Sequence, residues 1–249
     1  MRSRTNPVYC AIDTVDIAKA MKLVRALVLD AGKPKVGGIK LGLEFFLAHG
    51  APGVRQVFPE AVRAAGVGFF LDLKLHDIPN TVAGGIRAVV ELAPTFVTIH
   101  AAGGSAMMKA AVDTAALEAK RRGVPRPRLL GVTVLTSLDQ SDLAAIGVSE
   151  RPSEQTQRLA SLAQSSGLDG VVCSPLEIES LRRCCGPEFE LMVPGIRPAG
   201  SKAGDQKRVM APAEAMRSGA DHLVIGRPIT AAEDPASVAL AIARELGLS

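Results

Sequence analysis

The chain has 249 residues, 47% of them apolar and 22% charged, with a net charge of +4. That balance excludes a disordered chain, which is poorer in apolar residues, and the scattered 24 glycines and 16 prolines exclude a collagen-like or linker protein. An aromatic content of 3%, with no tryptophan, leaves few surfaces on which single-stranded bases could stack, so no nucleic-acid partner is expected despite the basic run Lys120, Arg121, Arg122, Arg126 and Arg128.

In chain order, short β-branched or apolar runs alternate with helix-length segments. Strands are expected at Val8–Asp13, Gly38–Gly42, Gly68–Leu75, Phe96–Ala101, Leu129–Leu135, Gly170–Ser174, Leu191–Ile196 and His222–Gly226. Helices are expected at Ile17–Leu29, Val54–Ala65, Val82–Leu92, Ser105–Arg122, Ser153–Ser165, Pro212–Ser218 and Pro235–Leu246. Eight strands, each followed by a helix or a helix-sized gap, predict an α/β protein built as one (β/α)8 barrel domain over residues 1–249. Several strands are apolar on both faces, as parallel strands covered on both sides are. The first strand leads into Asp13 and Thr14 without a glycine-rich turn, which argues against an open dinucleotide-binding sheet. The segment 197–210 has no clear period and holds Pro198, Gly200 and Gly204; a connection that long is usually functional.

The four cysteines, Cys10, Cys173, Cys184 and Cys185, form no Cys-x-x-Cys pair, and two fall inside apolar runs. This is packing-type usage, expected of a reduced, cytoplasmic setting, and not of a metal site. The opening apolar run stops at Asp13, too short for a secretion signal, and no run reaches the roughly eighteen apolar residues of a membrane span.

Barrel enzymes do their chemistry at the C-terminal ends of the strands. There the chain places Asp13, Lys40, Asp72, Lys74, His100, Thr136, Arg197 and Gly226–Arg227. Alternation puts Asp72 and Lys74 on one face of the third strand and Leu71, Leu73 and Leu75 on the other. The leucines would pack on helices and the charged pair would point into the barrel. A buried salt bridge would account for two opposite charges, but Asp77 and Lys40 extend them to an array larger than a barrel needs for stability. Arg197 and Arg227, at the ends of neighbouring strands, suit a phosphate dianion, since a guanidinium donates in pairs. His76 falls on the opposite alternation from Asp77 and reads as a packing or hydrogen-bonding residue. His100 reads equally as a site or a core residue.

The run Asp72-Leu-Lys-Leu-His-Asp-Ile-Pro-Asn-Thr81 resembles the signature of the orotidine 5'-phosphate decarboxylase family almost letter for letter. Ala11–Asp13, Ile39–Gly42, Leu135–Ser137, Val193–Arg197, Gly204–Gln206 and Ile225–Arg227 follow that family's order over nearly the whole chain. The resemblance implies a cofactor-free, metal-free homodimer that converts orotidine 5'-monophosphate (OMP) to UMP and CO2. It implies a charged tetrad of Lys40, Asp72, Lys74 and Asp77, with Lys74 as proton donor. Asp77, Ile78 and Thr81 would reach into the neighbouring subunit's site. Asp13 and Lys40 would hold the ribose hydroxyls, Asp72 would also touch substrate, and Thr136 would lie near the base. Gln206 would bridge base and phosphate, Gly226 and Arg227 would hold the phosphate, and Arg197 would belong to a closing loop. The connection before the second strand carries Lys35 as an alternative to Lys40; the Ile-Lys-Leu-Gly context points to Lys40. The rivals are a Mg2+-dependent sugar-phosphate decarboxylase of the same barrel type, for which Glu44 follows the second strand, a Schiff-base aldolase using Lys74, and a binding protein without turnover.

Overall fold

The computed structural model describes residues 6–30, 32–198 and 210–248. Eight parallel strands close in sequence order into one barrel. They are β1 (Val8–Ala11), β2 (Gly38–Gly42), β3 (Gly68–Leu75), β4 (Phe96–His100), β5 (Arg128–Val132), β6 (Gly170–Val172), β7 (Glu190–Val193) and β8 (His222–Ile225). All eight fall where the apolar runs place them, several of them shorter at the C-terminal end.

Most of the helices also match. Residues 17–29 form α1 (Ile17–Val24) and a wider π-turn, Arg25–Leu29. Asp16 caps the start by accepting from the Lys19 amide. The helix expected over 54–65 needs correction. It begins earlier, as α2 (Leu43–Val57), and a separate α3 (Glu60–Ala64) follows. Gly50-Ala-Pro-Gly53 reads as a breaker in sequence. The chain instead kinks at Gly50, whose φ is +57°, and resumes with Pro52 two residues past the kink, in a first turn where a missing N–H costs little. After β3 comes α4 (Pro79–Val89), then α5 (Gly104–Arg122), α6 (Gln140–Ala145) and α7 (Pro152–Ser165). The gap after β6 holds α8 (Ile178–Cys185), which turns only Ile178, Leu181 and Cys185 inward. The chain closes with α9 (Pro212–Ser218), α10 (Arg227–Thr230) and α11 (Pro235–Glu245). Among the described residues no helix is long and apolar enough to cross a membrane.

Strand alternation builds two cores. Outward residues such as Ile39, Leu41, Leu71, Val97, Leu191 and Ile225 pack beneath the helices. Inward residues fill the barrel below its mouth, led by Tyr9, Phe70, Phe96, Leu130 and Met192. Tyr9 meets Phe70, Phe96 and His222 edge-on, with ring centroids 6.2, 5.6 and 5.4 Å away. The N-terminal end of the barrel is tied by a repeated device. The residue before each of β4, β6 and β8 (Thr95, Asp169 and Asp221) accepts on its side chain from the backbone N–H of Phe69, Leu129 and Leu191, at 3.0, 2.7 and 2.9 Å. Each also donates its own N–H to the carbonyl of the same residue. Arg126 and Arg182 hold the two aspartates by ion pairs. Strand ends that would otherwise leave unpaired groups are thus closed.

Gly68 lies against the inner layer, where an added Cβ would overlap the Tyr9 hydroxyl. Gly68→Ala should therefore cost about 1–3 kcal/mol, read as a lower urea midpoint, and Tyr9→Phe in the same chain should return part of it. A wild-type midpoint for Gly68→Ala would show that this layer is not tightly packed.

Candidate active site

Above the inner aromatic layer the C-terminal strand ends surround a cavity of about 280 Å³. Asp13, Lys40, Asp72, Lys74, Thr136, Arg197, Gly226 and Arg227 all line it. Strand alternation supplies them. Phe70, Asp72 and Lys74 face the cavity, while Leu71 and Leu73 sit in the outer core and Leu75 packs against it.

At the centre is the Asp72 carboxylate. Its Oδ2 lies 2.8 Å from the Lys74 ammonium and 3.4 Å from that of Lys40. Lys40 also reaches Asp13 Oδ1 at 3.3 Å. The two lysines and two aspartates form a neutral chain of alternating charge. Asp72 and Lys40 are nearly sealed, with side chains 12% and 10% exposed, whereas Lys74 is 35% exposed and opens toward the cavity. Burial alone would raise the Asp72 carboxyl, but Lys40 and Lys74, with hydrogen bonds from Lys74 and Thr98, hold it below its ordinary value. Burial would lower Lys40, and Asp72 and Asp13 more than reverse that.

The backbone beneath Lys74 is irregular. Leu71 pairs with Val97 but Leu75 pairs with Ile99, so β3 bulges against β4. Lys74 has φ +51°, a left-handed conformation that a side chain rarely adopts. Thr98, wholly buried on β4, stands opposite the bulge. Its hydroxyl donates to Asp72 Oδ1 and accepts from the Lys74 N–H, both at 2.9 Å. Sequence reasoning passed over Thr98, although it shares a strand face with His100, which period-two alternation would have flagged.

The remaining residues divide. Of the tetrad expected from the sequence, Lys40, Asp72 and Lys74 meet within one chain. Asp77, Ile78 and Thr81 are exposed at the entry to α4 and do not line this cavity. Asp77 Oδ1 accepts from the Ile78 N–H instead, and Ile78 is 65% exposed. The strand carrying Asp72 and Lys74 ends at Leu75, so the alternation that aims those two inward no longer governs Asp77. Lys35 is excluded as the second-strand lysine. It sits at the opposite end of the barrel, its ammonium on the Asp30 carbonyl. Gln206, with Gly204 and Asp205, lies outside the described residues. The segment holding them is anchored at both ends: the Arg197 N–H donates to Met210 O and the Met210 N–H to Gly195 O. His76 is exposed and stacks on His100, with ring centroids 5.3 Å apart. Burial, then His76 and Lys74, lower the His100 imidazole. Among the described residues no group of three or more His, Cys, Asp or Glu side chains is arranged as a metal site.

The family model described as orotidine 5'-phosphate decarboxylase / HUMPS matches residues 6–242. The chain belongs to this family. The orotidine 5'-phosphate decarboxylase of Paramagnetospirillum magneticum is 55% identical over 243 residues, spanning 98% of this chain and 99% of its own. That of Moorella thermoacetica is 50% identical over 240 residues, spanning 96% and 91%. The crystal structure of orotidine 5'-phosphate decarboxylase from Lactobacillus acidophilus, at 37% identity, superposes with a TM-score of 0.81 over 97% of this chain and 99% of the other. Membership of the orotidine 5'-phosphate decarboxylase / HUMPS family thus agrees with both the closed barrel and the Asp-x-Lys-x-x-Asp run of β3 and its exit.

Because the folded Asp72 carboxyl lies below its unfolded value, its stabilisation is complete above the unfolded carboxylate range. It is lost as pH falls through the folded value. Lys40 contributes fully below the unfolded lysine range and loses its contribution as pH rises through its higher folded value. Asp72→Asn should therefore lower unfolding free energy by about 3 kcal/mol near neutral pH. The gap should narrow below about pH 4. A gap that stays constant with pH in urea titrations would remove the ion pairs as its source.

Proposed function

We propose that the chain is an orotidine 5'-monophosphate decarboxylase that releases CO2 from OMP to give UMP, the last step of de novo pyrimidine nucleotide synthesis. The observation that carries this reading is the partly open Lys74 ammonium held 2.8 Å from the buried Asp72 carboxylate, in a cavity whose wall continues to Gly226 and Arg227.

The substrate is anionic at two places, the phosphate and the ring carboxylate. Arg227 and the Gly226 backbone, just past β8, hold the phosphate, and Arg197 closes over it from the end of the segment anchored at Met210. Asp13 and Lys40 take the ribose hydroxyls, Thr136 lies against the base, and Gln206 spans base and phosphate. This places the carboxylate-bearing carbon at Lys74 and Asp72. When the carbon–carbon bond breaks, CO2 departs and the electron pair stays on the ring carbon, where no carbonyl delocalises it. Lys74 stabilises that pair as an ammonium and then transfers its proton to the same carbon. Asp72 disfavours the charged carboxylate relative to neutral CO2. At about 4 Å and an effective dielectric near 20, one such charge contact amounts to roughly 4 kcal/mol. That is too little alone, so preorganised attraction at Lys74 and exclusion of water by the closing segment carry more of the acceleration. Binding energy from the remote phosphate helps if it drives that closure.

The reading calls for no cofactor. Lys40 already spans Asp13 and Asp72 as a protein cation, and Lys74 is both electrostatic stabiliser and acid. The reduced, buried thiols of Cys10 and Cys173 fit a cytoplasmic enzyme. The barrel is the whole catalytic domain, and it works as a homodimer. Exposed Asp77, Ile78 and Thr81 complete the partner's site, so the fourth charge of the array comes from the other subunit.

Purified protein should consume OMP, followed by loss of its absorbance, at the same rate with and without EDTA. Lys74→Ala should lower the rate about a thousand-fold or more while still binding UMP. Activity lost to EDTA and restored by Mg2+ would move the chain to the metal-dependent sugar-phosphate side of the family. Near-normal turnover by Lys74→Ala would end the donor role.

Lys74→Ala and Asp77→Ala chains, each inactive alone, should recover activity when co-expressed. Random pairing leaves one intact site in each mixed dimer, about a quarter of all sites. Verified mixed dimers without activity would place each site within one chain.

A further inference from the structure

We infer that Thr98 is a positioning residue for decarboxylation, one hydroxyl fixing both the Asp72 carboxylate and the backbone of Lys74. The inference rests on reading Asp72 and Lys74 as the reacting pair.

The argument starts from the bulge. Between the pairs Leu71–Val97 and Leu75–Ile99, β3 advances four residues while β4 advances two. Lys74 therefore sits where the regular ladder is interrupted. The Thr98 hydroxyl accepts the Lys74 N–H at 2.9 Å. A left-handed lysine backbone persists only where its surroundings over-determine it, and this bond ties it to the neighbouring strand.

The same oxygen carries its own proton to Asp72 Oδ1 at 2.9 Å. One carboxylate oxygen is thereby occupied, and the other is left for the two ammonium groups, Lys74 at 2.8 Å and Lys40 at 3.4 Å. Without the hydroxyl the carboxylate is free to turn, and Lys74 loses both its backbone tether and its fixed counter-charge. Thr98 is fully buried and does not line the cavity, so it acts through its two partners and not on substrate. Valine matches threonine in shape but offers neither bond. Serine offers both with one methyl fewer.

The test compares Thr98→Val, Thr98→Ser and Lys74→Ala in steady-state OMP decarboxylation by the full-length protein. Thr98→Val should lose about ten- to a hundred-fold in kcat, the scale of one hydrogen bond to a charged group, with KM within about three-fold of wild type. Thr98→Ser should return kcat to within about three-fold, because the hydroxyl is restored. In an Asp72→Asn background, adding Thr98→Val should cost less in kcat than it does in the wild type, since the carboxylate to be oriented is gone and only the tether on the Lys74 amide is left to lose. If Thr98→Val does not accumulate as folded protein, Thr98→Ala removes the same hydroxyl and carries the same expectation. Wild-type kcat in the hydroxyl-free variant beside an inactive Lys74→Ala would overturn the inference and leave the reading of the pair intact. So would a loss confined to KM, or no recovery with serine. An active Lys74→Ala would overturn both.

Discussion

The arrangement of the barrel mouth depends on one carboxylate shared by two ammonium groups. Asp72 is almost sealed from solvent, and a buried carboxylate is costly unless it is paired and hydrogen-bonded. Here each of its oxygens is used: Thr98 takes one, and Lys74 and Lys40 take the other. Lys40, equally buried, leans on Asp13 as well. Removing either buried member, Asp72 or Lys40, leaves an uncompensated charge in a water-poor site, so the two constrain each other. Lys74 is the exception. Its side chain is more open than those of Lys40 and Asp72, and so it has less to lose energetically by meeting a substrate. The sealed middle of the array, Lys40 and Asp72, is the scaffold, and Lys74 at one open end does the chemistry.

A regular strand would not deliver that array. Alternation aims Asp72 and Lys74 to the same side, but consecutive same-side residues on a flat ladder project in parallel. The bulge between Leu71 and Leu75 and the left-handed turn at Lys74 bring the ammonium back onto the carboxylate two residues earlier. Such a conformation costs on the order of 1–2 kcal/mol. The cost is offset locally by the 2.8 Å ion pair and the Thr98 bond to the Lys74 amide.

Much of this was legible in the sequence because barrel strands are written in short apolar runs, and one polar residue among them stands out. Asp72 and Lys74 between leucines, Lys40 between Ile39 and Leu41, and Arg227 after Gly226 all announced themselves in that way. Thr98 did not. A threonine is at home in any strand, and its value lies in partners on β3 that only the register reveals. The bulge itself has no glycine to mark it. Among helices, α8 went unread because eight residues with three inward positions are too few to show a period. The early start of α2 was hidden by Gly50, Pro52 and Gly53, which kink the helix without ending it. The direction of Asp77 came from the family resemblance and not from the pattern of the strand. Spacing along one chain cannot say whether a residue just past a strand turns into its own barrel or away from it.

The two ends of the barrel follow opposite rules, and the contrast explains how a strained site survives. At the N-terminal end Thr95, Asp169 and Asp221 each close a strand pair through side chain and backbone together, and arginines hold the two aspartates in turn. Below the cavity, Arg128 covers the face of Phe96, its guanidinium carbon 4.0 Å from the ring centroid, and also pairs with Glu190. The aromatic layer of Tyr9, Phe70 and Phe96 then fills the barrel up to the floor of the cavity. Six of the eight strands therefore enter the mouth already tied in pairs at their N-terminal ends. The C-terminal ends are relieved of any duty to hold the barrel closed, and they can carry buried charge, a bulge and a left-handed lysine that would unseat a less firmly anchored sheet.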